Sequence, residues 1–515
     1  MTPDLHHPET PSQDALPGAR QDDLPQELPN ELLDVLIVGA GLSGIGAARH
    51  LQKSCPDQHY AILEARTAIG GTWDLFRYPG IRSDSDMYTL GYRFKPWVGA
   101  KSIADGTSIL EYIRETAEEA DIPRHIRFGH AVRSASWSGE DACWTVQAER
   151  SDTGAMVSFR ARFLYMCSGY YNYAEGHRPE FAGEADFGGT IVHPQFWPKD
   201  LDYAGKRVVV IGSGATAVTL VPSMATTAEH VTMLQRTPSY IVNRPARDPI
   251  AQQLQRWLPT ALAYTVTRWK NVITSGFLYR LALRKPDMVK QQIVHMAATQ
   301  AGPQCDGRTH FSPNYKPWDQ RICVAPDGDL FRDIRKGSAS VVTDTIANFT
   351  ATGLKLHSGA ELKADIVVIA TGLKLNLLGD VAFTVDGASV NVSAEMVYKG
   401  MMLSGMPNVM MCFGYTNASW TLKADLTAEY FCRLLQHMQR RKLSSVVARR
   451  DPSVGEEPFL GFSSGYVQRA SALLPKQGAI KPWRVHQSYI KDMLTIRYGR
   501  MDDGVLEYSA KGKQQ

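Results

Sequence analysis

The sequence predicts an α/β fold with two Rossmann-like domains, the second nested in the first, and a helical insert within the second. Two glycine-rich turns each follow a short apolar segment and precede a helical pattern, an arrangement typical of nucleotide-binding βαβ units. Apolar strand patterns return after residue 360, where they can complete the first domain. A chain of 515 residues is also too long for one hydrophobic core, so more than one domain is expected.

Composition and cysteine usage narrow the class of protein. A hydrophobic fraction of 44% and a charged fraction of 21% are ordinary for a globular protein, and a net charge of +4 argues against a nucleic-acid-binding face. The seven cysteines contain no C-x-x-C pair, which argues against a disulfide framework, a metal site and a flavin disulfide reductase. We therefore expect a reduced, cytoplasmic chain without metal or nucleic acid.

The beginning of the chain differs from the rest. Residues 1–30 are polar and proline-rich, without a basic segment that leads into a hydrophobic core. They are predicted to be a disordered tail rather than a secretory signal. No segment contains about 18 consecutive apolar residues, so no membrane-spanning helix is predicted.

The first glycine-rich turn has the pattern G-x-G-x-x-G, formed by Gly39, Gly41 and Gly44. It follows the apolar run 34–38, and the next strand pattern ends in Glu64. Glycines at these positions let a pyrophosphate approach the N-terminus of the helix, and a carboxylate after the second strand can accept hydrogen bonds from a ribose. The pattern therefore predicts a dinucleotide site.

The loop that follows distinguishes FAD from NAD. Residues 70–84 have the pattern G-G-x-W-x-x-x-x-Y-P-G-x-x-x-D. A flavoprotein needs an aromatic, glycine-rich loop here because its isoalloxazine ring must be covered, whereas a plain dehydrogenase does not. The first domain is therefore predicted to bind FAD. Short alternating runs from 131 to 162 are predicted to form an antiparallel meander within it.

A second turn has the pattern G-x-G-x-x-A, formed by Gly212, Gly214 and Ala217. The strand pattern after it ends in no acid but runs into Arg236 and Thr237. A carboxylate would repel a 2′-phosphate, whereas an arginine and a hydroxyl bind one. We therefore predict that this site prefers NADPH to NADH.

These motifs divide the chain. The FAD-binding domain is expected to span residues 31–170 and 361–515, with the NADPH-binding domain, residues 199–360, nested between its two parts. A linker, residues 171–198, joins them and ends in the stretch F-x-G-x-x-x-H-x-x-x-W-P, whose histidine, His193, is interpreted as structural.

The insert, residues 245–315, is aromatic and apolar with interspersed basic residues. Two interpretations stay open. The favoured one is a helical cap packed over an active site. The other is an amphipathic segment that makes peripheral contact with a membrane surface.

Several motifs together resemble a known enzyme family. The loop 70–84 and the stretch 187–198 are similar to the signatures of type I Baeyer–Villiger monooxygenases, and residues 167–173, 316–321 and 414–423 resemble the bacterial ethionamide-activating branch of that family. The resemblance implies an FAD-dependent, NADPH-consuming monooxygenase. Such an enzyme inserts one oxygen atom of O2 into ketones through a C4a-peroxyflavin, giving esters or lactones, and also oxidises thioethers to sulfoxides.

The same resemblance implies roles for individual residues. Those expected to contact FAD are Gly39, Gly41, Ser43, Gly44, Glu64, Thr72, Trp73, Asp74, Leu75, Asp84 and Val132. Those expected to hold NADPH are Gly212, Ser213, Gly214, Ala215, Thr216, Ala217, Arg236 and Thr237, with Arg82 and Ser83 near the nicotinamide. Arg321 matches the active-site arginine of the family, and Asp84 is expected to pair with it. Gln320 stands where many relatives have lysine, so selectivity for NADPH is expected to rest on Arg236.

Two other functions are weighed against this one. A flavin-containing monooxygenase that hydroxylates only nitrogen or sulfur is disfavoured by Trp197-Pro198 at the end of the linker and by Asp84. An NADPH oxidase or a flavin redox sensor is disfavoured by Arg321 and by the long insert. The substrate, expected to be a small hydrophobic ketone or sulfide, and the oligomeric state are not determined by the sequence.

Overall fold

The computed structural model describes residues 31–510, so the prediction for residues 1–30 lies outside the described part of the chain. The first part contains β1 (Leu32–Val38), α1 (Leu42–Ser54), β2 (Tyr60–Glu64), α2 (Thr72–Leu75), α3 (Met87–Leu90), α4 (Gly106–Glu119), β3 (Ile126–Phe128), β4 (His130–Ser138), β5 (Cys143–Arg150) and β6 (Met156–Met166). The middle part contains β7 (Tyr171–Gly176), β8 (Thr190–Val192), β9 (Arg207–Ile211), α5 (Ala215–Met224), β10 (His230–Gln235), β11 (Ile241–Arg244), α6 (Pro249–Trp257), α7 (Thr260–Arg284), α8 (Pro286–Ala301), α9 (Gly307–His310), β12 (Cys323–Pro326), α10 (Asp329–Lys336), β13 (Ala339–Thr343), β14 (Ile346–Thr350), β15 (Gly353–Leu356), β16 (Glu361–Lys363) and β17 (Ile366–Ile369). The last part contains β18 (Leu373–Leu375), β19 (Ala382–Val385), β20 (Ala388–Ser389), β21 (Val397–Tyr398), β22 (Met402–Leu403), β23 (Val409–Met411), α11 (Trp420–Arg441), β24 (Ser445–Ala448), β25 (Glu456–Pro458), α12 (Gly465–Ala470), β26 (Lys476–Gly478), α13 (Tyr489–Asp492) and β27 (Leu506–Ser509).

The first domain is built on a large mixed sheet. Its strand order is β20-β19-β4-β5-β6-β1-β2-β3, and β23 also pairs with β6. Strand β1 lies parallel to both β2 and β6, and its residues Val35, Leu36 and Ile37 are completely buried. The antiparallel pairing of β4, β5 and β6 matches the predicted meander. The apolar run near residue 410 joins the same sheet as β23, as expected.

The second domain is built on a five-stranded parallel sheet in the order β13-β10-β9-β17-β8. Two of its strands lie outside the predicted limits of this domain. Strand β8 comes from the predicted linker, and β17 comes from the segment after residue 360 that was expected to return to the first domain. Both sheets bury apolar parallel strands on both faces, so the composition of residues 366–369 does not tell which sheet they enter. The chain leaves the second sheet only after Ile369.

The insert is helical, as predicted, and its long helix α7 is anchored on the first domain. Arg268 donates hydrogen bonds of 2.8 Å to the carbonyl oxygens of Tyr88 and Gly91. Asn271 donates to the Asp86 carboxylate at 2.8 Å. Both α7 side chains are buried, so this face of the helix has a fixed orientation. Among the helices of residues 31–510, none combines the length and the apolar character needed to cross a bilayer.

The C-terminal region, to which the sequence assigned no chemistry, packs on helix α11. Lys423 and Asp492 form a buried ion pair of 2.8 Å, and Trp483 is almost completely buried. Strands β24 and β27 pair with each other and close the end of the described chain. This region therefore supports the first domain from outside its sheet.

Candidate active site

One large cavity, of about 1250 Å³, is lined by segments from both domains and from the insert. The predicted site residues in its wall are Gly39, Gly41, Ser43, Glu64, Thr72, Trp73, Arg82, Ser83, Asp84, Val132, Ala215, Thr216 and Arg321. The predicted residues outside its wall are Gly44, Asp74, Leu75, Gly212, Ser213, Gly214, Ala217, Arg236 and Thr237. Residues of α7 and α8 also line the cavity, which agrees with a cap over the site.

The first glycine turn leaves space for a ligand at the N-terminus of α1. Gly39 has a φ of +105°, and an added Cβ there would lie 2.5 Å from the carbonyl oxygen of Cys167. Gly41 precedes α1 and provides no side-chain cap, so the first N–H groups of that helix have no side chain bonded to them from that position. Free N–H groups at a helix start bind phosphate oxygens. The turn therefore fits the pyrophosphate of FAD.

Glu64 is fixed beside this turn. Its carboxylate accepts hydrogen bonds from the backbone N–H of Ala40 at 2.7 Å and of Arg66 at 2.9 Å. Burial raises the pKa of the Glu64 carboxyl, and the two backbone N–H groups act in the opposite direction. A carboxylate has about four acceptor positions, so two remain for the ribose hydroxyls.

Asp74 does not line the cavity, and its side chain instead stabilises the loop that follows the first glycine turn. Its buried carboxylate forms ion pairs with Arg66 at 2.8 Å, Arg77 at 2.7 Å and Arg114 at 3.1 Å. Three arginines around one buried carboxylate fix the backbone of residues 72–77. The direct contact with FAD that was expected for Asp74 stays a prediction.

The second glycine turn repeats the local geometry of the first. Gly212 has a φ of +137°, and an added Cβ would lie 2.3 Å from the Ala370 carbonyl oxygen. Gly214 precedes α5, again without a side-chain cap, and nothing lies within 4 Å of an added Cβ there. The hydroxyl of Ser213 donates to the carbonyl oxygen of Thr237 at 2.9 Å and ties the turn to the end of β10. This turn also fits a pyrophosphate.

The basic residue after β10 has a second cation near it. Arg236 is exposed, and its charge lowers the pKa of Arg469, although burial is the larger cause of that shift. Within residues 31–510, neither arginine forms an ion pair. Sequence reasoning missed Arg469 because it lies on α12, far along the chain, with no motif around it. The two guanidinium groups create a local positive field suited to a phosphate.

Asp84 and Arg321 both line the cavity but do not form the direct ion pair that was expected. In the described part of the chain, Arg321 has no carboxylate in salt-bridge contact, and Arg82 pairs with Asp329 at 2.5 Å. Burial raises the pKa of Asp84, while the charges of Arg321 and Arg82 lower it. The pairing of Asp84 with Arg321 is therefore an electrostatic coupling across the wall of the cavity, because no hydrogen bond joins them.

The surroundings of Arg321 keep it charged. Burial alone lowers its pKa, but Tyr170, Tyr171 and Asp84 are among the neighbours that raise it above the ordinary value of arginine. Arg321 is an exposed residue that lines the open cavity. A partly desolvated guanidinium of this kind stabilises negative charge that develops nearby.

An aromatic wall beside Arg321 was not predicted. The hydroxyls of Tyr170 and Tyr171 lie 2.6 Å apart, and Tyr170 stacks on Trp420 with ring centroids 4.9 Å apart. The indole N–H of Trp420 donates to the Ser43 hydroxyl at 2.7 Å, which connects this wall to the first glycine turn. All four residues line the cavity. They come from motifs that carried the resemblance, but no spacing rule brings them together.

Trp318, three residues before Arg321, has a backbone conformation that is unusual for a bulky residue. Its φ is +74°, in the left-handed region that side chains rarely adopt. Its ring lies edge-on to Tyr279 of α7, with centroids 5.4 Å apart, and it lines the cavity. Strained residues of this kind cluster at functional sites. The loop that carries Arg321 is therefore fixed partly by the insert.

Comparison with known proteins agrees with this arrangement. Residues 37–95 match the NAD(P)-binding Rossmann-like domain, and residues 102–272 match the flavin-binding monooxygenase-like family. The FAD-containing monooxygenase EthA of Mycobacterium tuberculosis is 55% identical over 483 residues, which cover 93% of this chain and 98% of that protein.

Solved structures show the same fold at much lower identity. The complex of OTEMO with FAD and NADP superposes with a TM-score of 0.71 at 20% identity, over 93% of this chain and 99% of that one. Cyclohexanone monooxygenase from Rhodococcus sp. Phi1, bound to NADP+, gives a TM-score of 0.70 at 19% identity, over 94% and 100%. The fold with two Rossmann-like domains is thus shared with Baeyer–Villiger monooxygenases. Since the chain aligns with EthA over nearly its whole length, it belongs to the family of FAD-containing monooxygenases.

Proposed function

We propose that the protein is an NADPH-consuming monooxygenase of the Baeyer–Villiger type, which converts hydrophobic ketones to esters or lactones and thioethers to sulfoxides. The observation that supports this most directly is the shared cavity. Ser43 and Glu64 beside the first glycine turn, Ala215 and Thr216 after the second, and Arg321 all line the same space. Two dinucleotides held there would have their reactive ends close to one arginine.

The residues of the chain have distinct roles in this proposal. When bound, FAD accepts hydride from NADPH and activates O2. Glu64 and the free N–H groups at the start of α1 hold its ribose and pyrophosphate. Arg236, with Arg469 near it, binds the 2′-phosphate of NADPH. Gln320 is uncharged and therefore adds no positive charge to this site.

Arg321 is the proposed catalytic residue. Oxygen insertion into a ketone places negative charge on the former carbonyl oxygen, and a guanidinium stabilises that charge without exchanging a proton. Asp84 lies close enough to influence Arg321 electrostatically. His193 stays outside this chemistry, because its Nδ1 accepts a hydrogen bond from the backbone N–H of Gln195 within the linker.

The substrate class follows from the part of the cavity formed by the insert. Apolar side chains of α7 and α8, among them Leu278, Leu281, Val289 and Ile293, line it. Such a wall favours a hydrophobic ketone or sulfide over a polar one. All seven cysteines are free, which fits the reducing compartment assumed in this proposal.

One experiment tests the proposal against its rivals. NADPH consumption by the FAD-loaded protein is followed with linear ketones, cyclic ketones, thioethers and amines under 18O2, and products are identified by mass spectrometry. Esters or lactones with one labelled oxygen are expected. Products limited to N-oxides and sulfoxides would favour a hydroxylating flavin monooxygenase. NADPH converted only to hydrogen peroxide with every compound would indicate an NADPH oxidase.

A further inference from the structure

Helix α7 has an apolar stripe on the face opposite the one that packs on the protein. Every third or fourth residue along this stripe is a large, exposed hydrophobic side chain, which places them on one side of the helix. They are Leu262, Val266, Trp269, Ile273 and Phe277, with exposed fractions of 49%, 40%, 36%, 57% and 62%. Trp257 at the end of α6 is 78% exposed. A contiguous exposed patch of this kind marks an interaction surface.

The stripe is not the side of α7 that packs on the core of the protein. The core-facing side of α7 carries Tyr264, Thr267, Arg268 and Asn271, which are all buried. Arg268 and Asn271 also bond to the first domain, so α7 cannot rotate to bury the stripe. The apolar residues are therefore presented to the outside by a rigid helix.

Charge indicates which partner fits this surface. Residues 249–285 contain no aspartate or glutamate. Two of their cations are internally paired, Arg268 with Asp425 and Lys270 with Asp248. The four others, which are exposed, are Arg256, Arg280, Arg284 and Lys285. An apolar stripe flanked by unopposed cations complements an anionic lipid surface, where such helices lie in the interface.

The cavity reaches both of the helices that carry this surface. Ile250 of α6 and Leu278 of α7 line the cavity and are 55% and 54% exposed. Val289 and Ile293 continue the apolar wall inward from α8. A lipophilic molecule that enters the cavity beside these helices would therefore meet apolar side chains along part of its path.

We propose that the outer face of α6 and α7 docks on an anionic bilayer and that lipophilic substrates enter the cavity from that bilayer. A second copy of this chain fits the surface less well. A symmetric dimer through the same face would bring the four cations of each copy against the same four of the other. Docking stands on its own observations, whereas substrate uptake from the bilayer rests on the proposed function.

Co-sedimentation with vesicles tests the docking. The FAD-loaded protein is mixed with vesicles of phosphatidylcholine alone, or of equimolar phosphatidylcholine and phosphatidylglycerol. We expect binding to the anionic vesicles that weakens as NaCl is raised. The double variant Ile273→Ser/Phe277→Ser should bind them roughly tenfold more weakly or worse, because two apolar side chains no longer insert. The double variant Arg280→Gln/Arg284→Gln should lose most of the preference for phosphatidylglycerol.

A matched control removes equally exposed apolar side chains elsewhere. Val98 and Leu473, which are 74% and 69% exposed, lie outside this face, and Val98→Ser/Leu473→Ser should bind like the wild type. Wild-type protein that binds neither vesicle, or that binds both equally at all salt concentrations, would overturn the proposal. So would a dimer in lipid-free buffer, measured by light scattering, that Ile273→Ser/Phe277→Ser abolishes, because the stripe would then serve self-association.

Substrate uptake needs a separate measurement. Turnover of a long-chain ketone embedded in anionic vesicles is compared with turnover of a short, water-soluble ketone. Ile273→Ser/Phe277→Ser should slow the first severalfold and leave the second unchanged, since neither residue lines the cavity. Equal slowing of both would refute uptake from the bilayer. If the wild type oxidises neither ketone, the proposed function fails, and vesicle binding still decides the docking.

Discussion

The two glycine turns share a backbone and differ in the charge that they present. At the first, Gly39 has a positive φ and lies against the carbonyl oxygen of Cys167, and at the second Gly212 has the same relation to Ala370. A Cβ is excluded at both positions for the same reason, which is the approach of a neighbouring strand end. The shared part of the motif is therefore imposed by the fold.

The difference appears where the second strand of each unit ends. Glu64 ends β2 and carries a negative charge beside the first turn, whereas the corresponding end of β10 is the neutral Gln235. The amide of Gln235 is turned into its own domain, because its Nε2 donates to the His310 carbonyl oxygen and the Thr343 hydroxyl, both at 2.8 Å. The residue that follows this strand end is Arg236, which brings a positive charge instead of a negative one. Ligand selection depends on these few side chains rather than on the turn.

The largest difference between the two turns is expected at the third small residue of each motif, which is Gly44 in the first turn and Ala217 in the second. An added methyl at Gly44 would lie 1.9 Å from the Gly39 carbonyl oxygen, whereas Ala217 occupies the matching position of the second turn with its own methyl buried. Gly44→Ala should therefore cost about 3 kcal/mol or more in stability and yield little FAD-loaded protein. Ala217→Gly should cost about 1 kcal/mol. Thermal unfolding and the flavin absorbance of the purified proteins measure both, and similar unfolding temperatures for the two variants would contradict the comparison.

Arg321 belongs to neither glycine turn. Its substitution should therefore impair oxygen insertion while nucleotide binding is retained. Arg321→Ala should lower ester formation about 100-fold or more, because it removes the guanidinium assigned to stabilise the charge that develops on the former carbonyl oxygen. Reduction of FAD by NADPH, followed by stopped-flow absorbance, should continue. Arg332→Ala is a control, since that partly exposed arginine pairs with its neighbour Asp333 away from the cavity. Ester formation retained in Arg321→Ala would remove its assigned role.

The sequence predicted the parts of this comparison that depend on local pattern. Strand, glycine turn and helix follow one another within about 20 residues, so both turns and the contrast between Glu64 and Arg236 were evident. Strand β17 was assigned to the wrong sheet because pairing partners far apart in the chain leave no local trace. The same holds for Arg469, which approaches Arg236 only in the fold.

The active site shows the same limit of sequence reasoning. Asp84 and Arg321 were expected to meet, and they do face one cavity, but the distance between them depends on how Trp318 and Tyr279 position the loop. The wall brings Trp420 against Tyr170 and Tyr171, which lie about half the chain away in sequence. Side-chain arrangement of this kind follows from tertiary packing and not from periodicity.

A charge substitution at the end of β2 sharpens the contrast between the two strand ends. Glu64→Gln keeps the shape of the side chain but turns one acceptor into a donor, so either Ala40 or Arg66 loses the partner of its backbone N–H. An unsatisfied buried group costs about 1–3 kcal/mol, and the Kd for FAD should rise about tenfold. The matched change Gln235→Glu should weaken NADPH binding and leave FAD affinity unchanged. Fluorescence titration with each nucleotide measures both, and an unchanged FAD affinity in Glu64→Gln would contradict the role of the carboxylate.

An effect of similar size is expected from the two arginines at the second turn. Arg236→Ala should lower kcat/KM for NADPH about tenfold, as expected for the loss of hydrogen bonds to a charged group, and leave kcat/KM for NADH unchanged. Arg236→Lys should recover part of the loss, because the charge returns without the planar fork that matches a phosphate. Arg469→Ala should act in the same direction, and the double variant should discriminate least between the two nucleotides. If Arg236→Ala left the preference for NADPH intact while Arg469→Ala removed it, the 2′-phosphate would be bound by α12 and not by the strand end. The positive charge that distinguishes the second turn from the first would then come from a residue outside the glycine-turn motif.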